Sequence, residues 1–158
     1  MSDDPERTTP LGLIRYSKDF RDASLAADDK LGTQKGYEIV APIPVLYLVA
    51  HSIELSLKAY LLHKGIQLKE LRKFKKYGHD LAKCLKKAKE LGLTQLVEIE
   101  DIEEGALQTL NNLYCRKELN YIVTGFKQFP VFGPLEILSK KLLLEIGKEV
   151  GYPANRLA

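Results

Sequence analysis

The chain has 158 residues, 45% of them apolar and 28% charged, with a net charge of +3. That balance excludes disordered and collagen-like chains and predicts one globular domain over residues 1–158, with its core between about residues 8 and 150. Cys84 and Cys115 are too few for a disulfide framework and are not spaced as zinc ligands, and the acidic start (Asp3, Asp4, Glu6) reverses the order of a secretory signal, so a reducing cytoplasm is expected.

Apolar residues recur at helical spacing along most of the sequence. A first helix over residues 10–28 puts Leu13, Tyr16, Phe20 and Ser24 on one face and Arg15, Lys18, Arg21 and Asp22 on the other, with Thr8 or Thr9 as cap. Two glycines and two prolines in residues 32–44 then read as a loop. The second helix, residues 44–63, is apolar on nearly every side, as expected of the centre of a bundle or of a helix under a partner subunit. Residues 43–62 are long enough to span a bilayer, but His51, Glu54 and Lys58 interrupt them, so a buried helix and no membrane partner are expected. Short and longer helices follow near residues 68–74, 80–90 and 95–120, the last with Ile102, Ala106, Leu110, Leu113 and Tyr114 turned inward. Residues 126–134 read as loop, and a final helix from Pro134 uses Leu135, Leu138, Leu142 and Ile146. No long alternating segment competes for a sheet. The expected fold is all-α, an up-and-down bundle of about five to six helices.

Charge is unevenly distributed. Residues 64–90 hold ten Lys or Arg against Glu70, Asp80 and Glu90, a local excess of +7, whereas residues 98–104 hold five carboxylates and no base. The basic segment reads as a solvated face or as a surface for nucleic-acid phosphates.

The polar exception on the second helix is one stripe. At roughly 100° per residue, Tyr47, His51, Glu54 and Lys58 fall within about 60° of one another, and Glu54 and Lys58 are ordered for an i, i+4 ion pair. The stripe can serve as an acid–base set or as a structural polar seam; the seam is the reading adopted, because enclosed ion pairs arise without catalysis. His79 and Asp80 at a helix start can dock an anion on free amides, or Asp80 can cap the helix itself. A depressed thiol pKa is expected at Cys115 if Arg116 beside it acts on the sulfur.

The run His51-Ser52-Ile53-Glu54-Leu55-Ser56-Leu57-Lys58-Ala59, then Gly78-His79-Asp80-Leu81 and a Lys-rich helix, resembles the HEPN family of prokaryotic helical domains. Leu113-Tyr114-Cys115-Arg116-Lys117-Glu118-Leu119-Asn120-Tyr121 resembles the late helix of that family, where an arginine is expected; the match covers about residues 40–125. The resemblance implies a small bundle, often a homodimer, in a family rich in endoribonuclease toxins, antiviral proteins and partners of minimal nucleotidyltransferases. Its ribonucleases carry Arg, four to six residues, then His. Here Arg116 is followed five positions later by Tyr121, with no histidine in the window. Arg72 and His79 match the bare spacing but in the wrong segment.

Three readings follow. In the first, a non-catalytic HEPN-like domain uses His51, Glu54, Lys58, His79 and Asp80 to bind nucleotide, RNA or a nucleotidyltransferase-type partner protein in a stress, defence or toxin–antitoxin setting. In the second, a divergent metal-independent endoribonuclease uses Arg116 with Tyr121, or with His51 or His79. The third is a dimerisation module, with the helix over residues 44–63 or the last helix at the interface. No metal or cofactor is expected.

Overall fold

Side-chain caps begin three of the helices described below. A computed structural model describes residues 7–73, 76–120 and 128–157, the side chain of Ala154 excepted. Among these residues there are six α-helices and no strand: α1 (Pro10–Leu31), α2 (Ile43–His63), α3 (Leu68–Leu71), α4 (Leu81–Glu90), α5 (Asp101–Tyr114) and α6 (Phe132–Glu149), with 3-10 turns at Leu93–Gln95 and Ala154–Arg156. The chain is an all-α helical bundle, as its periodicity indicates.

The Thr9 side chain accepts the Gly12 amide at 3.0 Å, and Pro10, which has no amide hydrogen to leave unpaired, opens α1. Asp80 caps α4 through the Lys83 amide. At α5 a reciprocal box forms, in which the Glu100 amide donates to Glu103 Oε1 at 2.9 Å and the Glu100 side chain covers the opposite amide. That box starts α5 at Asp101, well after the expected residue 95, and the segment before it becomes a 3-10 turn and a connector.

Three helices end in the same way. The Ile66 amide returns to the Leu61 carbonyl, Tyr152 to Gly147 and Glu118 to Leu113. Each turn needs one residue with left-handed backbone. Gly65 (φ +98°) and Gly151 (φ +88°) supply it at α2 and α6, but at α5 the residue is Lys117, with φ +59°. A side chain there costs about 1–2 kcal/mol relative to right-handed backbone. This turn ends α5 at Tyr114 and not at residue 120.

The hub of the bundle is α2, packed by α1, α4, α5 and α6. Val45, Leu46, Ile53, Leu57 and Leu61 are fully buried on it, joined by Leu107 and Leu110 of α5 and by Leu135, Leu138, Leu142 and Ile146 of α6. By length and composition α2 could cross a membrane, yet 67% of its most apolar stretch is buried inside the bundle. Most of the apolar surface of α2 is thus used within the chain.

Two faces differ from expectation. On α1 the buried residues are Ile14, Ser17 and Ser24, while Tyr16 is 60% exposed and Arg21, expected outside, bonds Glu136 and Ser139 of α6. The reason is hydroxyl packing. Ser17 Oγ donates to the Ser52 carbonyl at 2.8 Å and lies 2.6 Å from Ser56 Oγ, Ser52 Oγ donates back to the Ser17 carbonyl, and Ser24 Oγ donates to the Val45 carbonyl. Small side chains let the two helices approach closely, which the larger Tyr16 would prevent. On α5, Ile102 is 68% exposed and Glu103 is buried instead, drawn in by the cap and by Lys141 Nζ at 2.8 Å.

Enlarging Ser17 should therefore be costly. Ser17→Leu overfills the α1–α2 seam and strips the Ser56 hydroxyl of its partner, so a loss of about 1–3 kcal/mol is expected in urea unfolding, while Tyr16→Leu stays near neutral. Equal stability of the two variants would contradict the seam.

Candidate functional site

Four of the residues singled out in the sequence meet around one carboxylate. Glu54, on the polar stripe of α2, has a side chain only 4% exposed. Its Oε2 accepts from Lys58 Nζ at 3.0 Å, one turn along the same helix. Its Oε1 accepts from His79 Nδ1 at 2.8 Å and from the Tyr114 hydroxyl at 2.7 Å. His51, one turn before Glu54, places its Nδ1 3.0 Å from the Tyr114 oxygen. Lys58 also donates to the Gly78 carbonyl, so the ammonium fixes the turn that carries His79. That turn needs left-handed backbone at Gly78 (φ +41°), which glycine adopts at little cost.

Electrostatics follow from this packing. Burial pushes the Glu54 carboxyl up, but the His79 hydrogen bond, the Lys58 charge and the Tyr114 hydroxyl outweigh it and bring it down to about 2. Burial pushes the Tyr114 phenol far above its ordinary value, and the adjacent Glu54 charge adds to the shift. Burial also lowers the His51 imidazole; Glu54 opposes that shift, and His79 and Lys58 add to it. Around neutrality the cluster therefore holds an ionised Glu54, a protonated Tyr114 and a neutral His51.

The aromatic rings form one patch. Phe20 of α1 meets His51 edge-on with centroids 4.4 Å apart, Tyr47 stacks parallel to His51 at 6.4 Å, and Tyr114 contacts both Tyr47 and His79 at about 6 Å. Glu54 and Lys58 lie beneath the patch, whereas the His79 side chain is 51% exposed at its rim. Next to His79, Asp80 Oδ1 accepts from the Lys83 amide and from Asn111 Nδ2, and Asn111 Oδ1 takes the Leu81 amide. The Asp80 carboxylate is thus engaged in capping and in tying α4 to α5. From Asp80 an open groove of about 600 Å³ runs between those helices, lined by Lys83, Lys86, Lys89 and Glu104.

Arg116 is not bonded to this cluster. It is exposed beyond the end of α5 and makes no hydrogen bond or ion pair among the described residues. Tyr121 lies outside the described residues. The Cys115 thiol is raised, not lowered: burial and the Asp80 charge outweigh the opposing pull of Arg116. Cys84, on the inner face of α4, is pushed up by burial to about 12. Among the described residues no three His, Cys, Asp or Glu side chains gather as a metal site. Sequence reading treated Tyr114 as a core aromatic and missed its part in the cluster. The available signal was its hydroxyl, which needs a partner when buried, together with Glu54 as the lone carboxylate of α2.

No protein-family model, no curated protein and no solved structure matches this chain, so its functional reading rests on its own residues.

The Glu54 carboxyl makes stability depend on acid. Its folded value of about 2 lies below the unfolded one, so its contribution is complete above the ordinary carboxylate range and fades as pH falls from about 4.5 towards 2. The loss is on the order of 3 kcal/mol. Urea unfolding across that window should show a steeper decline for the native protein than for Glu54→Gln; parallel declines would refute the assignment.

Proposed function

We propose that this chain is a HEPN-like helical domain that binds RNA or nucleotide without cleaving it, holding bases on the Phe20, Tyr47, His51 and His79 patch and phosphates on α4. The observation that carries this reading is the ring patch itself. Aromatic and imidazole faces at a protein surface stack bases, and Lys83 and Lys86, both exposed along the adjoining groove, suit a polyanion. Binding without cleavage follows from the cations. Metal-free transesterification needs a positive group to meet the charge that develops on phosphorus. Lys58, the ammonium at the cluster, is committed to Glu54 and the Gly78 carbonyl, and Arg116 makes no hydrogen bond or ion pair with the described residues of the cluster. The stress or defence setting implied by the resemblance belongs to the same proposal.

Fluorescence anisotropy with labelled single-stranded RNA tests it. Binding should weaken as salt rises, and Tyr47→Ala should weaken it by about 1–3 kcal/mol, the range of one stacked base. The RNA should stay full length with and without divalent cations. Absence of binding by folded protein, or cleavage lost in Arg116→Ala, would overturn the proposal.

Self-association is a second reading, favoured by apolar exposure on the α5–α6 side. Ile102 is 68% exposed, Val131 63% and Ile137 50%, beside a groove of about 470 Å³ lined by Phe129 and Pro134. Light scattering should give a dimer that Ile102→Glu with Val131→Glu converts to monomer; a native monomer at micromolar concentration would refute it.

A further inference from the structure

Helix α1 carries two aromatic rings, and the bundle uses only one of them. Phe20 packs against His51, whereas Tyr16 is 60% exposed and makes no hydrogen bond or ring contact among the described residues. The serine seam is the reason: α1 rests on α2 through Ile14, Ser17 and Ser24, which leaves Tyr16 outside that contact. Four residues before Phe20, Tyr16 lies on the same side of the helix, with the two Cβ atoms about 5–6 Å apart. Its neighbour Arg15 is equally uncommitted. Lys18 closes on Asp22 at 2.6 Å, but Arg15, which has Asp19 at the same spacing, makes no ion pair or hydrogen bond among the described residues. Arg15 and Tyr16 wall a pocket of about 210 Å³ together with Leu13 and Gly12. A free guanidinium beside an exposed ring suits a nucleotide unit, one group meeting the phosphate and the other the base.

We propose that the RNA surface continues from the ring patch along α1 to Tyr16 and Arg15, so that its ligand is a single strand of several nucleotides and not a mononucleotide. The proposal rests on the RNA-binding reading above and lengthens the site that reading describes. Within the patch, Phe20 and His51 are 4.4 Å apart and Tyr47 lies parallel to His51 at 6.4 Å. Tyr16 adds a ring about 6 Å further along the α1 axis. Ser24 meets Val45 and Ser17 meets Ser56, so α1 and α2 run antiparallel, and the step from Phe20 to Tyr16 leads along their seam away from Tyr47. A lone base seated between Tyr47 and Phe20 leaves Tyr16 unused; a strand occupies both places. The strand meets cations on two helices, Lys83 and Lys86 along the α4 groove and Arg15 on α1.

The test uses the full chain and a labelled single-stranded oligoadenylate of about ten nucleotides, read by anisotropy. Tyr16→Ala should weaken binding about tenfold, within the range of one stacked base, and Tyr16→Phe, which keeps the ring, should bind like the native protein. Arg15→Gln should lower the slope of log affinity against log salt by about 0.7, the share of one phosphate on a single strand. Adenosine monophosphate should bind the native protein more weakly than the oligomer. The urea midpoint of each variant reports its folding; if Tyr16→Ala does not fold, the Arg15→Gln slope decides. Native affinity in folded Tyr16→Ala, a loss in Tyr16→Phe equal to that in Tyr16→Ala, or an unchanged slope in Arg15→Gln overturns the inference, and the RNA-binding reading still stands if Tyr47→Ala weakens binding. Adenosine monophosphate binding as tightly as the oligomer also overturns it. Absence of oligomer binding by the folded native protein overturns both.

Discussion

One buried charge organises this molecule. Taking a carboxylate out of water costs several kcal/mol unless donors replace the lost hydration, and the donors that Glu54 finds come from its own helix, from the turn before α4 and from α5. Those three elements are held in register by the requirement that Lys58, His79 and Tyr114 reach the same two oxygens. An apolar core could provide comparable stability. What the carboxylate adds is direction, because an acceptor-only group dictates where every neighbouring proton points.

A second polar latch works beside the first. Asn111 receives the Leu81 amide and gives its own to Asp80, joining the start of α4 to the middle of α5. The two latches flank His79, whose ring is therefore fixed on its inner edge and open on its outer one. The Lys-lined groove begins at Asp80, so the ring patch and the basic helix form neighbouring surfaces although the charge run and the polar stripe are separate in sequence.

Much of this was legible in the residues. The 3.6-residue period puts His51, Glu54 and Lys58 on one face of α2 whatever surrounds them, and the spacing of α6 identifies its buried Leu residues. Asp80 reads as a cap from its position alone. What could not be read were choices made by partners distant in sequence. Tyr114 joins the cluster because α5 packs beside α2, which no local pattern encodes. The exchange in the first turn of α5, with Glu103 in and Ile102 out, involves a lysine 38 residues away in α6. Lys117 ends α5 in a conformation that favours glycine, so no stop signal can be read from the residues there. The burial of serines along α1 runs against their polarity and follows from the closeness of α2.

That serine seam bears on how the domain opens. Helix α1 contributes three buried side chains, only Ile14 among them apolar, whereas α2 contributes thirteen. Its attachment thus relies on hydroxyl pairs and the Arg21–Glu136 bridge more than on removal of apolar surface from water. Hydroxyl pairs exchange readily for water, so this seam is a more water-exchangeable attachment than the apolar contacts that hold α2 in the core. Phe20 rides on α1, and with it one wall around His51. Any displacement of α1 would therefore also take away one wall of the ring patch.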